Sequence, residues 1–252
     1  MKPYKLEVIT EGLLLFTINR PEKRNAINYE VMDGLELAIE KMKESSLKAL
    51  IITGEGDQAF CSGGDVSVFS DLKTEKQAYS MLVKMSNILS RLLFLPKPTI
   101  ALMNGTALGG GCELASACDF RIARSGIKAG YIQGKLAITT GWGGGTILFE
   151  KIAPSSAMKL LLEAKPVGTE ELVDLGYLDA VYDGSPVESC IEFLRDILSI
   201  NVSVLSAYKN ILVKKWDVAD IQARMLEEVI ACSRLWEADA HHEQVANFLN
   251  RK

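Results

Sequence analysis

Two glycine-rich stretches follow apolar runs that suit buried strands. They are Ala59-Phe60-Cys61-Ser62-Gly63-Gly64-Asp65, and Asn104-Gly105 continuing through Gly109-Gly110-Gly111-Cys112-Glu113. Lacking a Cβ, such turns let backbone N–H groups come close to a ligand oxygen. The second stretch also opens a helix, whose N-terminal dipole favours developing negative charge. Two converging N–H groups make an oxyanion hole, and losing one such donor costs about 3 kcal/mol of transition-state stabilisation. Either loop alone reads as a tight turn, and only the pair points to a ligand. Glu113 is the strongest side-chain candidate. Its neighbours Cys112, Leu114, Ala115, Ala117 and Cys118 are small or apolar, so burial should raise its carboxyl into a useful acid–base range. A satisfied buried carboxylate is the alternative.

Other chemistries lack local support. The two histidines, His241 and His242, are adjacent in a polar stretch near the C-terminus and are expected on a solvated helix face. No GxSxG, HExxH, P-loop or strand-linked GxGxxG occurs, so serine hydrolase, zinc enzyme, nucleotidase and dehydrogenase readings fall away, and no metal site is expected. The 252 residues are 48% hydrophobic and 24% charged, an ordinary globular balance. With 28 basic against 32 acidic side chains, the net charge of −4 gives no footprint for nucleic acid. Cys61, Cys112, Cys118, Cys190 and Cys232 form no CxxC pair and read as buried thiols of a reducing compartment. Without an apolar leader or an 18-residue apolar run, a cytoplasmic protein with no membrane span is expected.

The elements that must hold these loops alternate in type. Two strands are expected over 4–19 around Glu11-Gly12, a helix from Asn28 to about Lys43, and a buried strand over 48–53. A helix follows over 74–93, stopped before Pro96 and Pro98. Next come a strand over 99–103, a helix over 112–117 and a strand over 120–123. This order predicts an α/β fold with a mostly parallel sheet, its ligands at the strands' carboxyl ends. Beyond Gly141-Trp142-Gly143-Gly144-Gly145 the chain reads as helices over 146–152, 155–164, 169–176, 186–200, 202–215 and 219–250, with a brief strand over 178–182.

The ordered set Asn19-Arg20-Pro21 with Asn25-Ala26, the two glycine loops, Pro96-Lys97-Pro98, Cys118-Asp119 and Gly143-Gly144 resembles the crotonase superfamily, the enoyl-CoA hydratase/isomerase family, over essentially the whole chain. The resemblance implies a spiral of ββα units over 1–190 and a helical C-terminal region over 191–252 used for trimerisation, often as a dimer of trimers. It implies an acyl-CoA thioester substrate, coenzyme A being part of that substrate and not a separate cofactor. The enolate would be stabilised by the N–H groups of Gly64 and Gly110. CoA contacts would fall near Arg24, Ala26, Ser62 and Asp65. Lys23 and Arg24 also suit a pyrophosphate chemically, although two adjacent surface cations are nearly as well explained by solvation.

One departure limits the analogy. Hydratases carry a second catalytic glutamate twenty residues after the first, and here that position is Gln133. An amide can position water or substrate but has no proton to deliver near neutral pH, which disfavours two-carboxylate hydration. Enolate chemistry with Glu113 as principal acid–base and Gln133 as positioning group remains. Cys118-Asp119-Phe120-Arg121 and Gly141-Trp142-Gly143-Gly144 also resemble the branch containing ethylmalonyl-CoA decarboxylase. Decarboxylation of a malonyl-type acyl-CoA is therefore the alternative chemistry, and a non-catalytic acyl-CoA-binding scaffold is a third reading.

Overall fold

Three runs of apolar residues, interrupted by no polar side chain larger than threonine, dictate the centre of the molecule: a strand buried on both faces needs side chains that tolerate both. A computed structural model describes residues 2–250. Its first half contains β1 (Tyr4–Val8), β2 (Leu13–Ile18), α1 (Tyr29–Lys41), β3 (Ala49–Gly54), β4 (Ala59–Cys61), α2 (Val66–Phe69), α3 (Glu75–Leu93), β5 (Thr99–Met103), β6 (Thr106–Leu108) and α4 (Gly110–Ala117). There follow β7 (Phe120–Arg124), β8 (Lys128–Gly130), α5 (Gly144–Lys151), α6 (Pro154–Glu163), β9 (Val167–Gly168), α7 (Thr169–Asp174) and β10 (Ala180–Tyr182). The chain ends in α8 (Pro186–Ser199), α9 (Val202–Lys215), α10 (Val218–Glu237) and α11 (Asp239–Leu249).

The larger sheet has the order β1-β2-β3-β5-β7-β10, parallel throughout except for the β1–β2 hairpin. Period-two alternation splits its side chains cleanly. Leu14, Phe16, Leu50, Ile52, Ala101 and Met103 join the main core. Leu13, Leu15, Ala49, Ile51, Ile100 and Leu102 face a second cluster closed by Cys190, Leu194 and Leu198 of α8. The expected division at residue 190 therefore falls inside a helix that packs on the sheet.

A second sheet, β4-β6-β8-β9, takes up segments expected only as turns and loops. Its strands are two or three residues long, too short to show a period. Local capping behaves as the sequence suggests. Asn28 Oδ1 accepts from Val31 N at 3.0 Å at the start of α1, and Thr74 and Gln77 form a capping box on α3.

The expected single helix over 219–250 is two helices. Ala238 is extended, with φ −68° and ψ 143°, and α11 turns back over the core. Neither glycine nor proline marks this break. Side chains on both sides of it are fixed by tertiary bonds, Trp236 Nε1 donating to Leu72 O at 2.9 Å and His241 Nδ1 lying 2.7 Å from Leu136 O. Local helix propensity yields to those anchors. No helix among the described residues is long and apolar enough to cross a membrane, and all five cysteines are buried and unpaired.

Candidate active site

The glycine loops meet because their strands pair: β4 runs parallel to β6, with Ala59 opposite Thr106 and Cys61 opposite Ala107. Asn104 fixes this junction, accepting from Gly54 N at 3.0 Å and donating to Gly56 O at 2.7 Å. A Cβ on Gly63 would lie 3.2 Å from Gly110 N, and one on Gly111 only 2.1 Å from Cys61 O. The glycines thus permit an approach that any side chain would block. Gly110 is the first residue of α4, so its N–H has no partner within the helix. Neither Gly64 N nor Gly110 N donates to another described backbone group.

Both glycines line a cavity of about 730 Å³, together with Glu113, Gln133 and Trp142. The Trp142 ring spans the two loops. It would lie 2.2 Å from a Cβ on Gly110 and 3.6 Å from one on Gly64. Phe69, Leu82 and Ile138 add apolar wall, and Trp236, Val245 and Phe248 of the last two helices cover it.

Glu113, four residues into α4, is the only carboxylate among the cavity's lining residues and is 2% exposed. Its Oε2 accepts from Trp142 N and Gly144 N, both at 2.9 Å, and its Oε1 accepts from Gln133 Nε2 at 2.8 Å. Burial, aided by the negative charge of Glu228, pushes its carboxyl up to about 7 against the pull of those three donors. Gln133 begins the 3₁₀ turn Gln133–Leu136. Its amide nitrogen is committed to Glu113, while its buried Oε1 has no partner.

The residues expected around CoA separate into two groups. Lys23 and Arg24 are exposed, and their carbonyls accept from Ser62 Oγ at 3.4 Å and Ser62 N at 3.1 Å. Ser62 itself lines the cavity, so the backbone of Lys23 and Arg24 adjoins its wall, although neither residue is among the lining. Ala26 is buried, its carbonyl accepting from Arg20 Nη1 at 2.7 Å. Asp65 is not among the lining residues. Its carboxylate accepts from Arg20 Nη2 at 2.6 Å and caps α2 through Ser67 N at 3.0 Å. Burial pushes this carboxyl up, but the bonds from Ser67 and Arg20 and the Arg20 charge outweigh it and leave the group below its ordinary value. Asp65 thus ties the two first loops together.

One expectation changes. The histidines do not share a solvated face: His241 is 2% exposed and lines the cavity beside His242, because the break at Ala238 folds α11 inward. Cys118-Asp119 is a structural joint, in which Asp119 accepts from Thr99 N at 3.0 Å and pairs with Lys209 of α9. Sequence reasoning missed the backbone cradle of Glu113 at Trp142 and Gly144, whose only signal was the glycine run, and Glu228, which carried none.

A family description, enoyl-CoA hydratase/isomerase, matches residues 8–252. The chain belongs to the enoyl-CoA hydratase/isomerase family. It is 28% identical over 238 residues to the short-chain-enoyl-CoA hydratase of Clostridium acetobutylicum, covering 94% of this chain and 90% of that one. It is 30% identical over 251 residues to the ethylmalonyl-CoA decarboxylase of Bos taurus, covering 96% and 80%. In structure it matches an enoyl-CoA hydratase from Bacillus halodurans with a TM-score of 0.88 at 24% identity, over 97% of this chain and 99% of that one. The fold is therefore the crotonase fold, and the protein is an acyl-CoA enzyme of that family.

Proposed function

We propose that this enzyme forms a thioester enolate by decarboxylating a malonyl-type acyl-CoA and then protonates it from Glu113. The observation that carries this reading is that the cavity offers one carboxylate, and that its partner at hydrogen-bond distance is an amide. Hydration needs one group to activate water and another to protonate carbon, and Gln133 cannot titrate. Decarboxylation needs only one proton. The bond between the α-carbon and the substrate carboxylate breaks, its electron pair moves into the thioester as the enolate, and carbon dioxide leaves. The Gly64 and Gly110 N–H groups hold the enolate oxygen, and the Glu113 proton passes to the α-carbon. A carboxyl poised near 7 still holds a proton to give at neutral pH. Gln133 orients Glu113 through Nε2 and leaves Oε1 to accept from a water or a substrate donor. Trp142 supplies an apolar wall, and similarity to ethylmalonyl-CoA decarboxylases supports the same chemistry.

Isomerisation of a 3-enoyl-CoA is the second reading, because one carboxylate can also take the α-proton and return it to the γ-carbon. Lys23 and Arg24 would meet the CoA phosphates, with Ser62 and Ala26 along the pantetheine path. Asp65 would act only through loop structure. The exposed face of α9, with Val204, Tyr208 and Ile211 at one-turn spacing, would join subunits into a trimer or a dimer of trimers in a cytoplasmic enzyme. Turnover of crotonyl-, 3-enoyl-, methylmalonyl- and ethylmalonyl-CoA in one panel tests the reading. Decarboxylation is expected to dominate, whereas fast hydration of crotonyl-CoA would overturn it. A non-catalytic scaffold would turn over none of them.

A further inference from the structure

A carboxylate on the N-terminal N–H groups of a helix normally becomes a stronger acid, because the helix dipole and the donated bonds favour its charge. Glu113 occupies such a place at the start of α5, on Trp142 N and Gly144 N. The next two N–H groups of the same turn belong to a second acid. Glu228, projecting from α10, accepts from Gly145 N at 3.1 Å and from Thr146 N and Thr146 Oγ1 at 2.8 Å each. One helix end thus serves two carboxylates from different elements.

We propose that Glu228 is a positioning residue of the catalytic centre, occupying the inner N–H groups of α5 and setting its charge beside Glu113, so that Glu113 is confined to the outer pair and kept able to carry a proton. Two physical effects follow from the geometry. Glu228 takes up donors that would otherwise strengthen the charged form of Glu113, and its own charge adds like-charge repulsion at short range. Arg224, one turn earlier on α10, is engaged by Glu150 and Asp220 at 2.7 Å each. Across the cavity Glu113 shares its lining with Lys135, His242 and His241, the last held below its ordinary value by burial; packed closer are Cys112 on its own helix, Tyr131 after β8 and Cys232 on α10. Burial holds the protons on these closer three, so they carry no charge at neutral pH. Glu228 lies outside the cavity lining, so it acts only through Glu113. This assignment rests on the role of Glu113 proposed above, but its test does not.

The test is a titration of the Glu113 carboxyl in the substrate-free protein by carbon-13 NMR, its signal assigned by disappearance in Glu113→Gln. The wild-type midpoint is expected near 7. Glu228→Gln keeps the shape and an acceptor for the α5 N–H groups but removes the charge, and should lower the midpoint by about one pH unit. Glu228→Asp, which retains the charge but withdraws it, should give a smaller shift in the same direction. Thr146→Val removes one bond to Glu228 without touching its charge and should leave the midpoint in place. The proposal is overturned if Glu228→Gln, or Glu228→Asp should the first variant not fold, titrates like the wild type. It is equally overturned if Thr146→Val shifts the midpoint as far as Glu228→Gln. Because no substrate is present, a wrong choice of reaction would leave these outcomes unchanged.

Discussion

Replacing Glu113 by glutamine should stabilise the protein, and the gain should depend on pH in a definite sense. The carboxyl rises from an ordinary 4.5 to about 7 on folding. The folded state therefore binds more protons than the unfolded chain between those values, and stability falls as pH rises through that window. A displacement of this size corresponds to about 3 kcal/mol once both states are ionised. Glutamine escapes the cost. Its Oε1 can still accept from Trp142 N and Gly144 N, and its Nε2 can donate to Gln133 once that amide turns its partnerless Oε1 inward. Chemical-denaturant melts of wild type and Glu113→Gln should nearly coincide at pH 5 and diverge towards pH 8.5, with the variant about 3 kcal/mol more stable at the upper end. Such a gain on losing a functional group is the ordinary stability–activity trade-off. A constant difference across that range, or a variant destabilised at pH 8.5, would refute the account of Glu113 as a strained acid.

Other perturbations test separate parts of the site. Gly110→Ala places a methyl 2.2 Å from the Trp142 ring, beside the N–H proposed to hold the enolate oxygen; turnover should fall about 10²- to 10³-fold, with CoA binding by calorimetry retained. In Gly144→Ala the new methyl lies 2.2 Å from Glu113 Cγ, so thermal melts should show a loss of about 1–3 kcal/mol, accompanied by loss of activity. Gln133→Glu restores a second carboxylate and should raise crotonyl-CoA hydration from a low starting rate in a spectrophotometric assay. An unmodified enzyme that already hydrates fast would contradict that expectation. Replacing Lys23 and Arg24 together by alanine should weaken CoA binding and flatten its salt dependence, since both are exposed charges.

The large sheet was legible because its strands bury both faces: apolar runs at 13–18, 49–54 and 99–103 admit few other readings. The second sheet was not, because strands such as Ala59–Cys61 and Lys128–Gly130 show no periodicity and exist only through pairing. At the site, the glycine loops and Glu113 were visible from residue types and family resemblance together. The Arg20–Asp65 ion pair was not legible, because a carboxylate beside a glycine loop looks the same in sequence with or without a partner 45 residues earlier. His241 was misread because nothing local announces the extended Ala238. Glu228 was invisible, as its role arises only where α10 crosses the start of α5.

The most direct test of the central claim is the product formed from ethylmalonyl-CoA in deuterium oxide. If Glu113 delivers the proton to an enolate held at Gly64 and Gly110, the wild-type enzyme should release carbon dioxide and yield butyryl-CoA carrying one α-deuteron in a single configuration. Glu113→Gln should form product more slowly and as a mixture of configurations, because solvent then protonates the enolate. An unchanged rate and configuration in Glu113→Gln, or no carbon dioxide from the wild type while crotonyl-CoA is readily hydrated, would contradict the account.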